Sequence, residues 1–123
     1  MEKGLTYTSK VMVCQENLAK TIGSGNLAVL ATPAMAALME NAAMNAVAAA
    51  LPEGSTTVGS MLQITHSRPS GLGETIEATA TLQEVEGRKL VFSVVAKDSK
   101  GVIGEGSHIR YIVDAQRFKA KLG

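Results

Sequence analysis

The sequence predicts an α+β domain in which a curved antiparallel sheet wraps one long central helix. Two changes of hydrophobic pattern carry this reading. Leu27 to Leu51 is a nearly continuous run of Ala, Val, Leu and Met, whereas from Ser55 onward apolar residues recur at every second position. Length is the third observation: 123 residues hold one core with little room for another, so a single domain spanning 1-123 is the simplest account.

Leu5 to Val13 alternates loosely and is rich in Thr, Val and Tyr, which suits a first strand. Glu16 to Asn26 is polar and holds Gly23 and Gly25, the pattern of a loop or short irregular segment. A helix follows. Thr32 can cap free amides, Pro33 is tolerated at the first helical position, and Pro52 with Gly54 closes the segment. About 18 residues lie between these signals, roughly 27 Å of helix. The segment is apolar nearly all round, so it should be enclosed by other structure. A membrane span is the competing reading, but Pro33, Glu40, Asn41, Asn45 and the predominance of weakly inserting Ala argue against it.

Val58 to Ser67 reads as a strand. Thr75 to Val85 alternates cleanly, with Ile76, Ala78, Ala80 and Leu82 on one face. Glu86-Gly87 makes a tight hairpin into Lys89 to Lys97, where Leu90, Phe92, Val94 and Ala96 face one way and Val91 and Val95 the other. A strand apolar on both faces belongs in the centre of a sheet. Asp98 to Gly101 turns the chain into Val102 to Val113, and a basic tail, Arg117 to Lys121, ends it. One strand, a long helix and then a four-stranded antiparallel meander give the outline of the hotdog fold.

Composition excludes several classes of function. Apolar residues make up 46%, yet only Tyr7, Phe92, Tyr111 and Phe118 are aromatic, too few to build the stacking platforms of single-stranded nucleic-acid modules. A net charge of +1 is too balanced for a surface that grips polyanions, so no nucleic acid is expected and any anionic ligand must be held locally. Cys14 is the single cysteine, and no Cys/His cluster has zinc-ligand spacing; a reducing, cytoplasmic setting without a structural metal or other cofactor follows. No apolar leader opens the chain.

Glu40 is the residue that most requires explanation. It lies in the most apolar segment, with no Lys or Arg between Thr21 and Glu53 to pair with it locally, so it is either a structural carboxylate satisfied from elsewhere or a functional one. The other candidates have ordinary readings when taken singly. Thr32 is an N-cap, Gly59 a bulge or close-packing glycine, His66 a packing or surface histidine at a strand end, and His108 and Cys14 structural or surface residues. Asn41 and Asn45 share a helical face and suggest hydrogen bonding to a loop or second helix. Gly101 to Gly106 leads into a strand and not a helix, so it lacks the amide cradle of a phosphate loop, and no GxSxG elbow is present.

Taken together, Thr32-Pro33-Ala34 through Glu40-Asn41-Ala42-Ala43, Gly59-Ser60-Met61 through Thr65-His66, and Gly104-Glu105-Gly106-Ser107-His108-Ile109-Arg110 resemble the hotdog thioesterases of the fluoroacetyl-CoA thioesterase family. The resemblance runs from about Ala31 to Lys121 and rests on a T-x7-E pattern followed by G-x6-H. It implies an acyl-CoA thioesterase acting on a small or medium acyl group, with Thr32, Glu40 and His66 as the catalytic set and Gly59 as an amide donor near the thioester carbonyl. In that role Glu40 is base or nucleophile, His66 carries the proton, and Thr32 positions water or a partner.

Arg110 also matches a family position and, with Arg68, Lys97, Lys100, Arg117, Lys119 and Lys121, is a candidate for binding the coenzyme A phosphates. Thr32 and Glu40 are separated by about 12 Å along a helix axis, beyond hydrogen-bond reach, so the site should combine residues from two chains. This fits the family's habit of building sites at a dimer interface, and implies a homodimer or dimer-based tetramer. The family's fluoroacetyl enzyme carries phenylalanines in a lid before the helix. Here Gly23 to Leu30 holds no aromatic residue, so fluoroacetate specificity is not carried over. Two rival readings share the fold: a non-catalytic acyl-CoA or small-ligand binding module, and a hydratase, which would expect a D-x4-H signature that neither Asp98 nor Asp114 provides.

Overall fold

The period-two segments fold as strands and the Ala-rich segment as a helix laid across them. A computed structural model describes residues 1–123. The elements are β1 (Thr6–Met12), a 3-10 turn (Gln15–Asn17), α1 (Ala19–Ile22), α2 (Thr32–Ala48), β2 (Ser55–His66), β3 (Thr75–Glu86), β4 (Lys89–Asp98), β5 (Gly101–Asp114) and α3 (Ala115–Ala120). No helix is long and apolar enough to cross a membrane. The polar stretch after β1, read as a loop, is more ordered than that: its two helical turns exist because Leu18 between them is fully buried and pins the segment to the core.

All five strands pair antiparallel in the order β1-β3-β4-β5-β2. β4 is central, as its two apolar faces require. The expected four-stranded meander is not what forms: only β3, β4 and β5 run as a meander, and β2 lies beyond β5 at the far edge. Glycine explains this neighbour choice. A methyl group at Gly106 would collide with the Gln63 carbonyl, so only a side-chain-free β5 admits β2 this closely. The chain then leaves β2 through Pro69, Gly71 and Gly73, the last at φ +91°, to enter β3 away from that edge.

The core lies between α2 and one face of the sheet. Met35, Met39, Ala42, Ala43 and Val47 of α2 are buried in a cluster with Ile76, Ala78, Ala80 and Leu82 of β3 and Leu90, Phe92, Val94 and Ala96 of β4. These strand residues are the two alternating sets the sequence marks. The helix, however, is not enclosed all round: Ala37, Asn41, Met44 and Ala48 remain exposed, because one sheet covers only one side of it. Asn41 is satisfied from β1, where the Ser9 hydroxyl donates to its Oδ1 at 2.7 Å, and Asn45 Nδ2 donates to the Asn41 carbonyl at 3.0 Å. The Asn pair therefore ties α2 to the first strand.

Phe92 is the only fully buried Phe or Tyr, so truncating it leaves a cavity in a close-packed core. Phe92→Ala is expected to lower unfolding free energy by about 3–5 kcal/mol, seen as a shift in denaturant midpoint at unchanged slope.

Candidate active site

Thr32 and His66 meet where the start of α2 passes the end of β2. Thr32 is the first residue of the helix and not its cap: Ala31 holds that position without a side-chain bond. The Thr32 hydroxyl is free for another partner, and its Oγ1 lies 2.7 Å from His66 Nδ1. The opposite ring nitrogen, Nε2, is buried and makes no hydrogen bond. Burial lowers the imidazole pKa below its ordinary value, against a raising contribution from the backbone at Arg68, so the ring is neutral near pH 7. Both residues line a cleft of about 340 Å³ whose opposite wall is the aromatic-free segment containing Ser24, Asn26 and Leu27.

Glu40, Gly59 and Arg110 form a second group with Thr57, which the sequence did not single out, and His108, which it reads as a structural or surface residue. Arg110 is buried, yet its guanidinium is well occupied. Nε donates to Thr57 Oγ1 at 2.8 Å, Nη2 to the Thr57 carbonyl at 2.9 Å, and Nη1 lies 3.2 Å from His108 Nε2. Since arginine can only donate, His108 Nε2 accepts, and its Nδ1–H donates to the Met61 carbonyl at 2.7 Å. Burial lowers the His108 pKa, and the Arg110 charge lowers it further, against opposing effects of the Met61 carbonyl and Glu40. The signal that could have found this group is the His108-x-Arg110 spacing, which puts both side chains on one face of a strand.

Arg110 also supplies the cation that Glu40 lacks locally. Its Nη1 lies 3.8 Å from Glu40 Oε1, and the Glu40 side chain remains 44% exposed. The carboxylate is thus held at the edge of the apolar region and available to an incoming group. Gly59 permits this approach. It sits at an irregularity in the β2–β5 register, and a Cβ there would stand 2.9 Å from Glu40 Oε1 and 3.2 Å from His108 Cε1. Arg110 is buried and turned inward on Thr57, His108 and Glu40.

Within one chain the two groups remain apart. Gly59 and His66 are seven positions apart on one strand, roughly 23 Å at 3.3 Å per residue, and Thr32 and Glu40 keep the axial spacing of about 12 Å. Thr32 and His66 are brought together; Glu40, Gly59 and Arg110 are brought together; the catalytic set the resemblance implies is not joined in a single copy.

The model of fluoroacetyl-CoA-specific thioesterases matches residues 13–116. The chain belongs to this family. It is 38% identical over 94 residues to the fluoroacetyl-CoA thioesterase of Streptantibioticus cattleyicolor, covering 76% of this chain and 68% of that one. A mutant of the fluoroacetyl-CoA-specific thioesterase FlK, solved with fluoroacetate and CoA, superposes with a TM-score of 0.89 at 31% identity, covering 96% of this chain and 99% of that one. A hot-dog-like protein from Thermanaerovibrio acidaminovorans, 23% identical, superposes with a TM-score of 0.89 over 99% of this chain and 90% of that one. These likenesses give the architecture its name: a five-stranded antiparallel sheet around one long helix is the hotdog fold.

Two neutral imidazoles, His108 buried and His66 half-buried, make stability pH-dependent in a definite direction. In the unfolded chain they titrate near 6.5, while in the folded protein burial keeps them unprotonated to lower pH. Their contribution is fully present above that value and is lost as pH falls through the lowered native values, because the unfolded state then binds more protons. Melting temperature should accordingly be flat from about pH 7 to 8 and fall below about pH 6.5, with a shallower fall in His66→Asn.

Proposed function

We propose that this protein hydrolyses a small or medium acyl-CoA thioester at a site completed by two copies of the chain. The observation that carries the reading is the Thr32–His66 pair at 2.7 Å, set in a cleft with the second imidazole nitrogen buried and partnerless. A neutral imidazole of lowered pKa can take a proton from a hydroxyl or water and return it to a leaving sulfur. The start of α2 adds the positive end of a helix dipole beside that cleft, favourable to an oxyanion forming on the carbonyl.

Glu40 supplies the carboxylate that acts at the acyl carbon, oriented by Arg110 and close against Gly59. The net reaction places a water oxygen on the carbonyl carbon, breaks the C–S bond and releases the free thiol with its proton. A second copy closes the gap between the two groups. β2 is an edge strand, and antiparallel pairing of β2 with itself about a two-fold axis between Leu62 and Gln63 would set Gly59 opposite His66 of the partner subunit. The exposed face of α2 with Ala37, Met44 and Ala48 suits the same contact.

Free-thiol release from a panel of acyl-CoA esters tests the reading. Turnover should fall by about 10²- to 10⁴-fold in Thr32→Ala, His66→Ala and Glu40→Gln, while tight CoA binding without turnover of any ester would make the protein a binding module instead. Mixing tests the shared site. Thr32→Ala and Glu40→Ala protomers, each inactive alone, should after re-association recover about one quarter of the wild-type rate, since half the dimers are mixed and each holds one intact site. No recovery in proven mixed dimers, or full turnover by a sedimenting monomer, would sink the two-chain site.

A further inference from the structure

The thioester cleft carries one formal charge. Among its lining residues Arg68 is the sole charged side chain; Ser24, Asn26, Thr32 and Ser67 are neutral donors and acceptors, and no carboxylate faces the space. Arg68 follows His66 by two positions, so their Cα atoms lie within about 7 Å. Its backbone is fixed: the amides of Ser67 and Arg68 both donate to the Ile103 carbonyl, at 2.7 and 3.3 Å.

The guanidinium is held from behind. Asp98, with its side chain 2% exposed, lies 3.8 Å from Arg68 Nη2, and Arg68 Nη1 donates to the Val102 carbonyl at 3.5 Å. Asp98 is itself locked, accepting from the Ser70 hydroxyl and the Lys100 amide, each at 2.8 Å. Two of the five guanidinium N–H groups have these loose partners, and the side chain is 38% exposed. A cation tethered by Asp98, with free donors in a cleft that no carboxylate lines, is arranged to receive an oxyanion from outside the chain.

We propose that the acyl group taken by this cleft ends in a carboxylate, with Arg68 as its counter-ion. The inference rests on the thioesterase reading and adds the class of acyl group. Position separates it from the alternative source of negative charge. Coenzyme A phosphates lie a full pantetheine arm from the thioester carbon, whereas Arg68 is two positions from His66 and lines the same cleft. Ser24, Asn26 and Ser67 can pair with carboxylate oxygens that a lid of aromatic rings would leave unsatisfied.

The experiment compares kcat/KM for malonyl- and succinyl-CoA with that for isovaleryl-CoA, which matches malonyl-CoA in shape without the charge. Wild type should favour the carboxylate esters by roughly 10- to 100-fold. Arg68→Gln should abolish the preference while leaving isovaleryl-CoA turnover in place, Arg68→Lys should retain part of it, and the preference should persist on N-acetylcysteamine esters, which carry no phosphate. Equal turnover of charged and neutral esters by wild type overturns this inference and leaves the thioesterase reading standing. A KM rise in Arg68→Gln for every CoA ester, absent with N-acetylcysteamine esters, also overturns it and gives Arg68 to the phosphates. No hydrolysis of any ester overturns the thioesterase reading and the inference together.

Discussion

The close approach of α2 to the sheet is the constraint on which the remaining geometry depends. Ala78, Ala80 and Ala96 present small side chains to the helix, and Gly104 presents none, since a Cβ there would reach within 2.8 Å of Met35 Sδ. Bulkier residues would lift the helix away and carry Thr32 out of hydrogen-bond range of His66. The same seating brings Glu40 over Gly59, where a missing side chain leaves room for the carboxylate. Helix position, packing of the core and assembly of both polar groups are therefore one packing problem, solved by small residues.

Burial sorts the charged residues by what each must do. Arg110 is almost wholly enclosed and costs desolvation, which Thr57, His108 and Glu40 offset with oriented acceptors and one negative charge. Burial also lowers its pKa, although a guanidinium remains charged throughout the working range. Asp98 follows the opposite course. Burial disfavours its charge, but the Lys100 amide, the Ser70 hydroxyl and the charges of Arg68 and Lys100 outweigh that, holding the carboxyl below its usual range. One ion pair thus presents an anion to the surface, through Glu40, and the other presents a cation, through Arg68.

The strand pairs β3–β4 and β4–β5 were legible because their cause is local. Alternation marks the buried faces of β3 and β4, and Gly87 at φ +61° marks the hairpin between them. The place of β2 was not legible. It is decided by how its backbone fits against Gly104 and Gly106, residues distant in sequence whose meaning appears only once the strands are paired. The site divides in the same way. An apolar helix containing one carboxylate signals that Glu40 needs a partner, and the His108-x-Arg110 spacing puts two side chains on one face of the last strand, but nothing local says that this face meets Glu40. Thr32 could be read as a cap because capping is what a helix-start threonine does locally; a nearby imidazole from β2 competes for the hydroxyl and wins.

The two histidines then carry the distinction between structure and chemistry further than their titration does. Both have pKa values lowered by burial, so protonation alone does not separate them. Their hydrogen bonds do. His108 uses both ring nitrogens, donating to Met61 and accepting from Arg110, so a proton gained at Nε2 would set two donors against each other and break the Arg110 bond. His66 uses one, leaving Nε2 shielded and unspent, a condition that costs stability in a folded core and persists where a further group completes the arrangement. With Thr32 on the opposite nitrogen, the ring is oriented from one side while the other keeps its capacity for a proton, which is what the proposed role of His66 as proton carrier requires.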